Sequence, residues 1–303
     1  MTLIPDSILS KADVLLNVDE ATREDWLKMR ECGLGGSDAL AASGLSPYKS
    51  PYALWLEKTG MVEFPDEDNE LMQWGRRLEP VIADAFAEET GLAVSRLPYL
   101  FRSKEHPFML ADIDRLIYDS ETNSFGVLEI KNTSSWNAKD WDEEPPLYAV
   151  VQNLHYQIVL GLKWGYVAGL IGGNHLAVHK VALDDDVEAD ILTLEHSFWN
   201  KVMDTDPPAL DGSDSTLEAL KLKYSEPEEE RIGLPNEALD LISELETVKA
   251  RAGTCKDREQ EIKILFMDWL GNNTEGVIGD SLVTWKPNKK GVRTMRFTKL
   301  KEE

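Results

Sequence analysis

Cysteine is almost absent from this 303-residue sequence, which contains only Cys32 and Cys255. Two cysteines exclude a disulfide framework and any four-cysteine zinc or iron–sulfur site within one chain. No apolar run approaches the roughly 20 residues that are needed to span a bilayer. The N-terminal stretch also lacks the charged-then-apolar order of a secretion signal. We therefore expect a cytoplasmic protein without a membrane-spanning segment.

Basic residues are also in short supply. Lys and Arg number 32 against 55 Asp and Glu, which gives a formal net charge of −23. This excess of acid argues against non-specific binding of nucleic acid over the whole surface. It leaves open a local basic channel, or an acidic site at which a bound metal ion neutralises phosphate.

The hydrophobic pattern predicts an α/β fold with a mixed central sheet flanked by helices. Helical patterns occupy most of the sequence up to Gly91, and Pro80 is expected to perturb its helix or to mark a first turn. Three alternating stretches are expected to form a β-meander, followed by a helix, two more strands and a long helix. The meander stretches are residues 93–103, 108–119 and 126–132.

A polar, irregular stretch predicts a boundary in the chain. We expect a core with an N-terminal helical region over residues 1–210, an acidic linker over 211–230, and a helical arm with a basic C-terminal β-hairpin over 231–303. Apolar residues recur at helical spacing in the arm, namely Leu239, Ile242, Leu245, Val248, Ile262, Leu265, Phe266 and Trp269.

The hairpin is locally basic. Between residues 277 and 303, seven Lys/Arg stand against three Asp/Glu. Two interpretations remain open: a contact with nucleic acid or a partner, or an edge strand that lysines protect against aggregation.

The stretch GVLEIKN carries two opposite charges inside an apolar strand pattern. Because successive side chains of a strand alternate, Glu129 and Lys131 share one face, and Leu128 and Ile130 share the other. The charged pair is therefore either an exposed ion pair, worth roughly 0–1 kcal/mol, or one face of an active site.

Two further carboxylates precede this strand. Asp112 and Asp114 are expected on one face of the neighbouring strand, so that pairing of the two strands would bring Asp114 close to Glu129. Two carboxylates and a lysine suit the hydrolysis of a phosphodiester. The carboxylates, with the Ile130 carbonyl, would bind a hard cation such as Mg²⁺, which polarises the phosphoryl group. Lys131 would orient the attacking water or help to deprotonate it, and would neutralise developing charge.

Six motifs occur in order between about Trp26 and Gly161. They are WLKMRECGLGGSDA, GLSPYKSPYALWLEKTG, WGRRLEP, ADIDRL, LEIKN and PLYAVVQNLHYQ. This ordered set resembles the phage lambda exonuclease / YqaJ-type viral recombinase family of PD-(D/E)XK nucleases. The resemblance implies a restriction-endonuclease-like core within residues 1–210.

The resemblance also implies an enzyme, a metal-dependent deoxyribonuclease of the hydrolase class. It would use Mg²⁺, with Mn²⁺ as an alternative ion, to degrade one strand of duplex DNA from 5′ to 3′. The exposed 3′ strand would serve phage-type recombination by single-strand annealing. The implied partners are double-stranded DNA ends, a single-strand annealing protein, and further copies in a ring, a trimer in the lambda type. The implied location is the host-cell cytoplasm for a phage-encoded protein.

The roles implied near the metal fall on five residues. Asp114 and Glu129 would bind the ion together with the Ile130 carbonyl, and Lys131 would be the catalytic lysine. Glu79, in WGRRLEP, would be a helix-borne carboxylate close to the metal. The alternative for Glu79 is an ordinary carboxylate on a helix surface.

The remaining implied roles concern the substrate. Gln152 would lie near the nucleophilic water or the phosphate, with Tyr156 on the same helix behind the site, or both would simply line a core helix. Arg30 and Ser37 would match a pocket for a 5′-phosphate, which glycine amides and a helix N-terminus would also favour. Ser37 could instead be only a helix cap.

Two residues depart from the family pattern. Arg115 follows Asp114 where the family often has glycine, and Asp112 stands where a small polar residue would be expected. Asp112 is therefore an alternative metal ligand. Two other functions stay open: an endonuclease with the same core, and a non-catalytic protein that binds DNA ends or a recombinase.

Overall fold

The computed structural model describes residues 4–65 and 68–300. The chain divides into two compact units, residues 1–227 and 228–303. In the part of the chain that the structure describes, no helix is long and apolar enough to cross a membrane.

The first unit contains helices on both sides of a sheet. Its described helices are α1 (Asp6–Lys11), α2 (Arg23–Glu31), α3 (Gly36–Ala42), α4 (Pro51–Lys58), α5 (Glu70–Thr90), α6 (Leu147–Leu160), α7 (Asp185–Met203) and α8 (Asp214–Lys223). Its strands are β1 (Ala12–Asn17), β2 (Ala93–Ser95), β3 (Tyr99–Ser103), β4 (Leu110–Ala111), β5 (Arg115–Asp119), β6 (Ser124–Thr133), β7 (Trp164–Ile171) and β8 (His175–Ala182).

The central sheet has five strands in the order β2-β5-β6-β7-β8. Strands β6 and β7 are parallel, whereas the other neighbours are antiparallel. Val127 and Val167 belong to the core on the α6 side, and Leu128 and Ile130 to a second cluster that includes Phe86 of α5. The predicted fold class, a mixed sheet flanked by helices, is confirmed.

The expected β-meander is wrong, because two of its three stretches break in the middle. Residues 93–103 divide into β2 and β3, and residues 108–119 divide into β4 and β5. Strands β3 and β4 join β1 in a separate three-stranded sheet. Asp112 and Asp114 therefore lie between two strands and not on one face of a continuous strand.

Helix α5 runs through Pro80 without interruption, although a proline was expected to perturb it or to mark its first turn. Proline removes one backbone hydrogen bond, but the following turns bury Ile82 and Phe86 against the sheet. Asn69 caps the first turn, and Gly91 ends the helix with φ 73°, a left-handed conformation that glycine adopts without strain.

Part of the expected acidic linker is folded. Helix α8 lies within residues 211–230 and packs against α4, where the Thr216 hydroxyl donates to Ser50 Oγ at 2.8 Å. The side chain of Ala219 is fully buried. The boundary between the two compact units falls after residue 227.

The second unit consists of a long helix and a small sheet. These are α9 (Glu237–Leu270), β9 (Glu275–Ile278), β10 (Ser281–Pro287) and β11 (Arg293–Lys299). Strands β10 and β11 form the predicted C-terminal hairpin, and β9 adds a third antiparallel strand. Arg293 stacks on Trp285 at 3.5 Å from the ring centroid and donates to the Gly271 carbonyl, so this basic residue stabilises the sheet.

Candidate active site

The site begins where the pairing of β5 and β6 stops. The last paired residues are Arg115 and Leu128, and the chain then turns away through residues 112–114. The backbone N–H of Ile130, which has lost its strand partner, donates instead to Asp114 Oδ2 at 2.7 Å. Because the N–H and C=O of one residue point to the same side of an extended strand, the Ile130 carbonyl also faces this side.

Glu129 and Lys131 lie beside Asp114, on the face of β6 that meets α6. Lys131 Nζ is 2.7 Å from Glu129 Oε1 and donates to Gln152 Oε1 at 3.0 Å. The second carboxylate oxygen, Glu129 Oε2, is buried and has no hydrogen-bond partner. The ring of Tyr148 lies 5.6 Å from Lys131 Nζ, a contact that sequence reasoning did not identify.

Burial sets the direction of the pKa shift for the two carboxylates of this group, but not for the lysine. Burial and the charge of Glu129 raise the pKa of Asp114 well above its usual range, against the opposing effects of Lys131 and the Ile130 N–H. Burial also raises the pKa of Glu129, although Lys131 opposes it. For Lys131, burial lowers the pKa, but Glu129 and Asp114 outweigh burial and the net shift is upward. Two carboxylates thus share one ammonium, and an added cation would stabilise their charged forms.

The donors at this point fit a small, hard divalent cation. Asp114 and Glu129 offer carboxylate oxygens, one of them buried without a partner, and Ile130 offers a carbonyl. Among the described residues, no group of three or more His, Cys, Asp or Glu side chains is arranged to hold a metal. The protein ligands would therefore be two carboxylates and a carbonyl. This matches magnesium sites that use one or two carboxylates and fill the other positions with water and substrate phosphate.

Glu79 is engaged in an ion pair beside the cleft. Its carboxylate forms an ion pair with Arg115, whose guanidinium also donates to the Asp114 carbonyl at 2.6 Å. Arg115 is buried, so the arginine that departs from the family pattern holds the carboxylate that was expected near the metal. Nothing in the local sequence signals this contact, which spans 36 residues.

Gln152 is supported from behind. Its amide donates to the Tyr156 hydroxyl at 3.2 Å, and Tyr156 is almost fully buried. Helix α3 crosses closely at Gly36, where an added Cβ would lie 2.7 Å from Tyr156 Cε1 and 2.8 Å from Gln152 Cγ. The absence of a side chain at Gly36 therefore lets α3 pack against the residues that hold Lys131.

Arg30 and Ser37, the expected phosphate-binding pair, are brought together. Arg30 Nη2 donates to Ser37 Oγ and to Asp38 Oδ2, each at 3.1 Å. Lys58 Nζ also lies 3.0 Å from the same Asp38 oxygen. Although burial opposes the shift, the charges of Lys58 and Arg30 hold the pKa of Asp38 well below its usual range. Sequence reasoning did not place Asp38 or Lys58 in this pocket.

Asp112 faces a cleft that Asp114 also lines. The Trp26 indole N–H donates to Asp112 Oδ2 at 3.0 Å, and the Arg30 guanidinium stacks on the Trp26 ring at 5.2 Å. The cleft has a volume of about 370 Å³, and its lining includes Asp112, Asp114 and Glu79 together with Arg23, Arg76 and Arg96. Trp26 thus connects the Arg30 pocket with the carboxylates, a role that its motif did not reveal.

Comparisons with known proteins identify a family of similar sequences. The family model described as "YqaJ-like viral recombinase domain" matches residues 25–163. A Bacillus subtilis (strain 168) protein, described as "Uncharacterized protein YqaJ", is 36% identical over 288 residues, which cover 91% of this chain and 87% of the relative.

Solved structures show the same fold. An alkaline exonuclease (LHK-Exo) from Laribacter hongkongensis matches with a TM-score of 0.50 at 21% identity, over 60% of this chain and 93% of that chain. LHK-Exo in complex with dAMP matches with the same score and identity, over 67% of this chain and 98% of that one. At this identity the likeness shows the fold alone. Together with the family match, these findings show that the chain belongs to the YqaJ-like viral recombinase family and has the PD-(D/E)XK nuclease fold.

Proposed function

We propose that the protein is a divalent-metal-dependent exonuclease that degrades one strand of duplex DNA from its 5′ end. The observation that carries the proposal is the convergence of Asp114, Glu129 and Lys131 at the open end of the β5–β6 ladder. Two carboxylates beside one ammonium are the groups that phosphodiester hydrolysis needs, and a structural role would not require this set.

Asp114, Glu129 and the Ile130 carbonyl would hold the cation. When bound, the cation would polarise the scissile phosphoryl group and favour deprotonation of the attacking water. Burial keeps the two carboxylates in a medium where their attraction for a cation is stronger than in water. We assign Glu79 the role of ion-pair partner of Arg115 and not of metal ligand. We assign Asp112 to the lining of the adjacent cleft.

Lys131 would act as an ammonium ion. Because its pKa is raised, the side chain stays protonated at neutral pH and can stabilise negative charge on the phosphoryl oxygens. Gln152 would fix its direction through the 3.0 Å hydrogen bond, and Tyr156 would fix Gln152 in turn. In this view Gln152 and Tyr156 are positioning residues, and Lys131 touches the substrate.

The 5′ polarity is supported by the pair Arg30 and Ser37. Their side chains already meet at 3.1 Å, and Trp26 joins Arg30 to the cleft beside Asp114. A terminal phosphate bound by Arg30 and Ser37 would place the first phosphodiester within reach of the carboxylates. Mg²⁺ as the ion, a ring of copies, and a single-strand annealing protein that receives the 3′ strand are further parts of the proposal, and membership of the recombinase family supports them.

The test uses linear duplex DNA labelled at one 5′ or one 3′ end, with Mg²⁺ or with chelator, beside a covalently closed circle. We expect metal-dependent release of mononucleotides from the 5′ end, no loss of circles, and no release by Lys131→Ala. Lys163→Ala removes a lysine from an exposed ion pair with Glu188, and this matched control should cleave like the wild type.

Other results would indicate a different function or a different polarity. Cleavage of closed circles would replace the exonuclease by an endonuclease of the same fold. A folded, metal-bound protein that binds DNA ends without cutting any of them would make the chain a non-catalytic end-binding protein. Release from the 3′ end would overturn the roles of Arg30 and Ser37 but leave the hydrolytic site intact.

A further inference from the structure

Helix α9 carries a stripe of mostly apolar residues at alternating spacings of three and four. We call these positions the α9 stripe: Ala238, Leu241, Leu245, Val248, Ala252, Cys255, Glu259, Ile262, Phe266 and Trp269. This 3–4 alternation is the spacing by which helices pair in coiled coils. Eight of the ten positions are fully apolar, so the pattern predicts a partner along the whole helix.

The stripe is largely uncovered in the second unit. Leu241 is 63% exposed, Leu245 52% and Val248 51%. Among the described residues of the second unit, the C-terminal end of the stripe is covered, because Phe266 packs against Phe297 of β11 with ring centroids 5.1 Å apart. Contiguous exposed apolar surface on a helix is the usual mark of a binding face.

Basic residues flank the central part of the stripe. Lys249, Lys256 and Lys263 recur every seven residues along one flank, and Arg251 and Arg258 recur along the other. Among the described residues, Lys249, Arg251 and Lys256 form no ion pair, whereas Lys263 pairs with Glu259 and Arg258 with Glu261. In a chain of net charge −23, two basic rows beside one apolar stripe form a distinct surface.

This charge pattern disfavours a second copy of α9 as the occupant. In a parallel pair, one attractive contact would form across the interface, between Glu244 and Lys249. Two repulsive contacts would form beside it, Arg251 with Lys256 and Arg258 with Lys263. In an antiparallel pair each basic row would face its own counterpart. Like charges at these flanking positions select against pairing. A nucleic acid would meet the basic rows but would leave the apolar stripe in water.

We propose that the α9 stripe docks an amphipathic helix of a partner protein, with apolar residues facing the stripe and Asp or Glu on both flanks. The apolar residues would supply affinity, and the two basic rows would select the acidic partner. The proposal does not depend on the nuclease function, since its argument uses only residues of the second unit.

The test uses the full-length protein and two synthetic helical peptides of about four heptads. Both peptides have Leu at the seam positions; one has Glu and the other has Lys at all flanking positions. We expect the Glu peptide to bind at least tenfold more tightly in fluorescence anisotropy. Lys249→Glu/Arg251→Glu/Lys256→Glu should reverse this preference, and Leu245→Gln should weaken both complexes. Lys289→Glu/Lys290→Glu alters exposed lysines outside α9 and should change neither.

Equal affinity for the two peptides, or no binding of either, would overturn the proposal. Sedimentation that shows self-association lost in Leu245→Gln would assign the stripe to a second copy. Duplex DNA that competes with the Glu peptide for wild type alone would assign the basic rows to nucleic acid. Nuclease activity on linear duplex DNA, measured for every variant, should stay at the wild-type level. This measurement distinguishes an error in the docking proposal from an error in the proposed nuclease function.

Discussion

Asp114 Oδ2 accepts a hydrogen bond from the backbone N–H of Ile130 at 2.7 Å. A side chain thus fills the place of the next residue in the β5–β6 ladder. The strand break and the position of the carboxylate are therefore one feature: the chain turns away at residues 112–114, and the freed N–H fixes Asp114 beside Glu129.

The first prediction concerns Asp114→Asn. The amide oxygen can still accept from Ile130, but the charge is lost. Loss of a charge that holds the cation costs several kcal/mol of transition-state stabilisation, or about 10²-fold or more in rate. Burial and Glu129 raise the pKa of Asp114, so its ionised form costs stability above the unfolded pKa. We expect the variant to be as stable as the wild type or more stable at pH 7 in chelator.

Urea unfolding and the end-labelled assay check this pair of outcomes. Asp257→Asn, at an exposed position of α9, serves as the control and should change neither measurement. A variant that keeps full activity, or that unfolds far more easily, would remove Asp114 from its proposed role.

The second prediction is that Mg²⁺ raises the melting temperature of the wild type. An ion at 100 times its Kd stabilises the folded state by about 2.7 kcal/mol. Glu129→Gln removes a carboxylate whose Oε2 atom has no partner, so its melting temperature should not respond to Mg²⁺. Thermal scans with and without chelator measure this without any DNA. A rise of equal size in Glu129→Gln would place the ion elsewhere.

The third prediction contrasts two glycines. Gly36→Ala would place a Cβ 2.7 Å from Tyr156 and 2.8 Å from Gln152. Overpacking of this kind costs about 1–3 kcal/mol, and displacement of Gln152 should lower kcat. Gly75→Ala lies in helix α5, where the new Cβ would meet no atom within 4 Å beyond its chain neighbours and its own helix backbone. It should stabilise the protein by about 1 kcal/mol, the difference in helix propensity.

Denaturant midpoints and nuclease rates for the two variants test the contact between α3 and α6. Full activity together with unchanged stability in Gly36→Ala would show that the helices can separate there without consequence.

The fourth prediction is a pH dependence of stability set by His155. The imidazole is buried between Glu195, 2.8 Å from Nδ1, and the Leu110 carbonyl, 2.9 Å from Nε2. Burial lowers the pKa of His155, but Glu195 and these hydrogen bonds outweigh it and raise the pKa above its usual value. The stabilisation is therefore complete below the unfolded pKa of about 6.5 and is lost as pH rises through the folded pKa.

Urea unfolding measured from about pH 5 to about pH 9, a range that covers this titration, tests the effect. His155→Gln should lose this dependence and cost about 3–5 kcal/mol, because Glu195 would be left buried without its partner. The paired change His155→Gln/Glu195→Gln should recover part of that loss. A wild-type stability that does not fall on the alkaline side would contradict a charged His155.

Local patterns in the sequence predicted much of this protein. The alternation in GVLEIKN placed Glu129 and Lys131 on one face, and they form an ion pair there. Helical patterns were expected up to Gly91, and Gly91 ends α5. The order of the motifs identified the family. These features depend on residues that are close in the sequence, and the periodicity of the strand or helix determines which of their side chains share a face.

Only the tertiary structure decided which distant groups meet. The expected meander is interrupted at residues 112–114 because β4 pairs with β3 in another sheet. Arg115 forms an ion pair with Glu79, and Asp38 forms ion pairs with both Arg30 and Lys58. Burial makes such pairs necessary, because a buried charge without an opposite charge is costly. The sequence by itself determined the residue types of the site and the strand that carries two of them. Packing between elements far apart in the chain determined their partners. Such contacts could not be predicted, because they produce no periodic pattern in the local sequence.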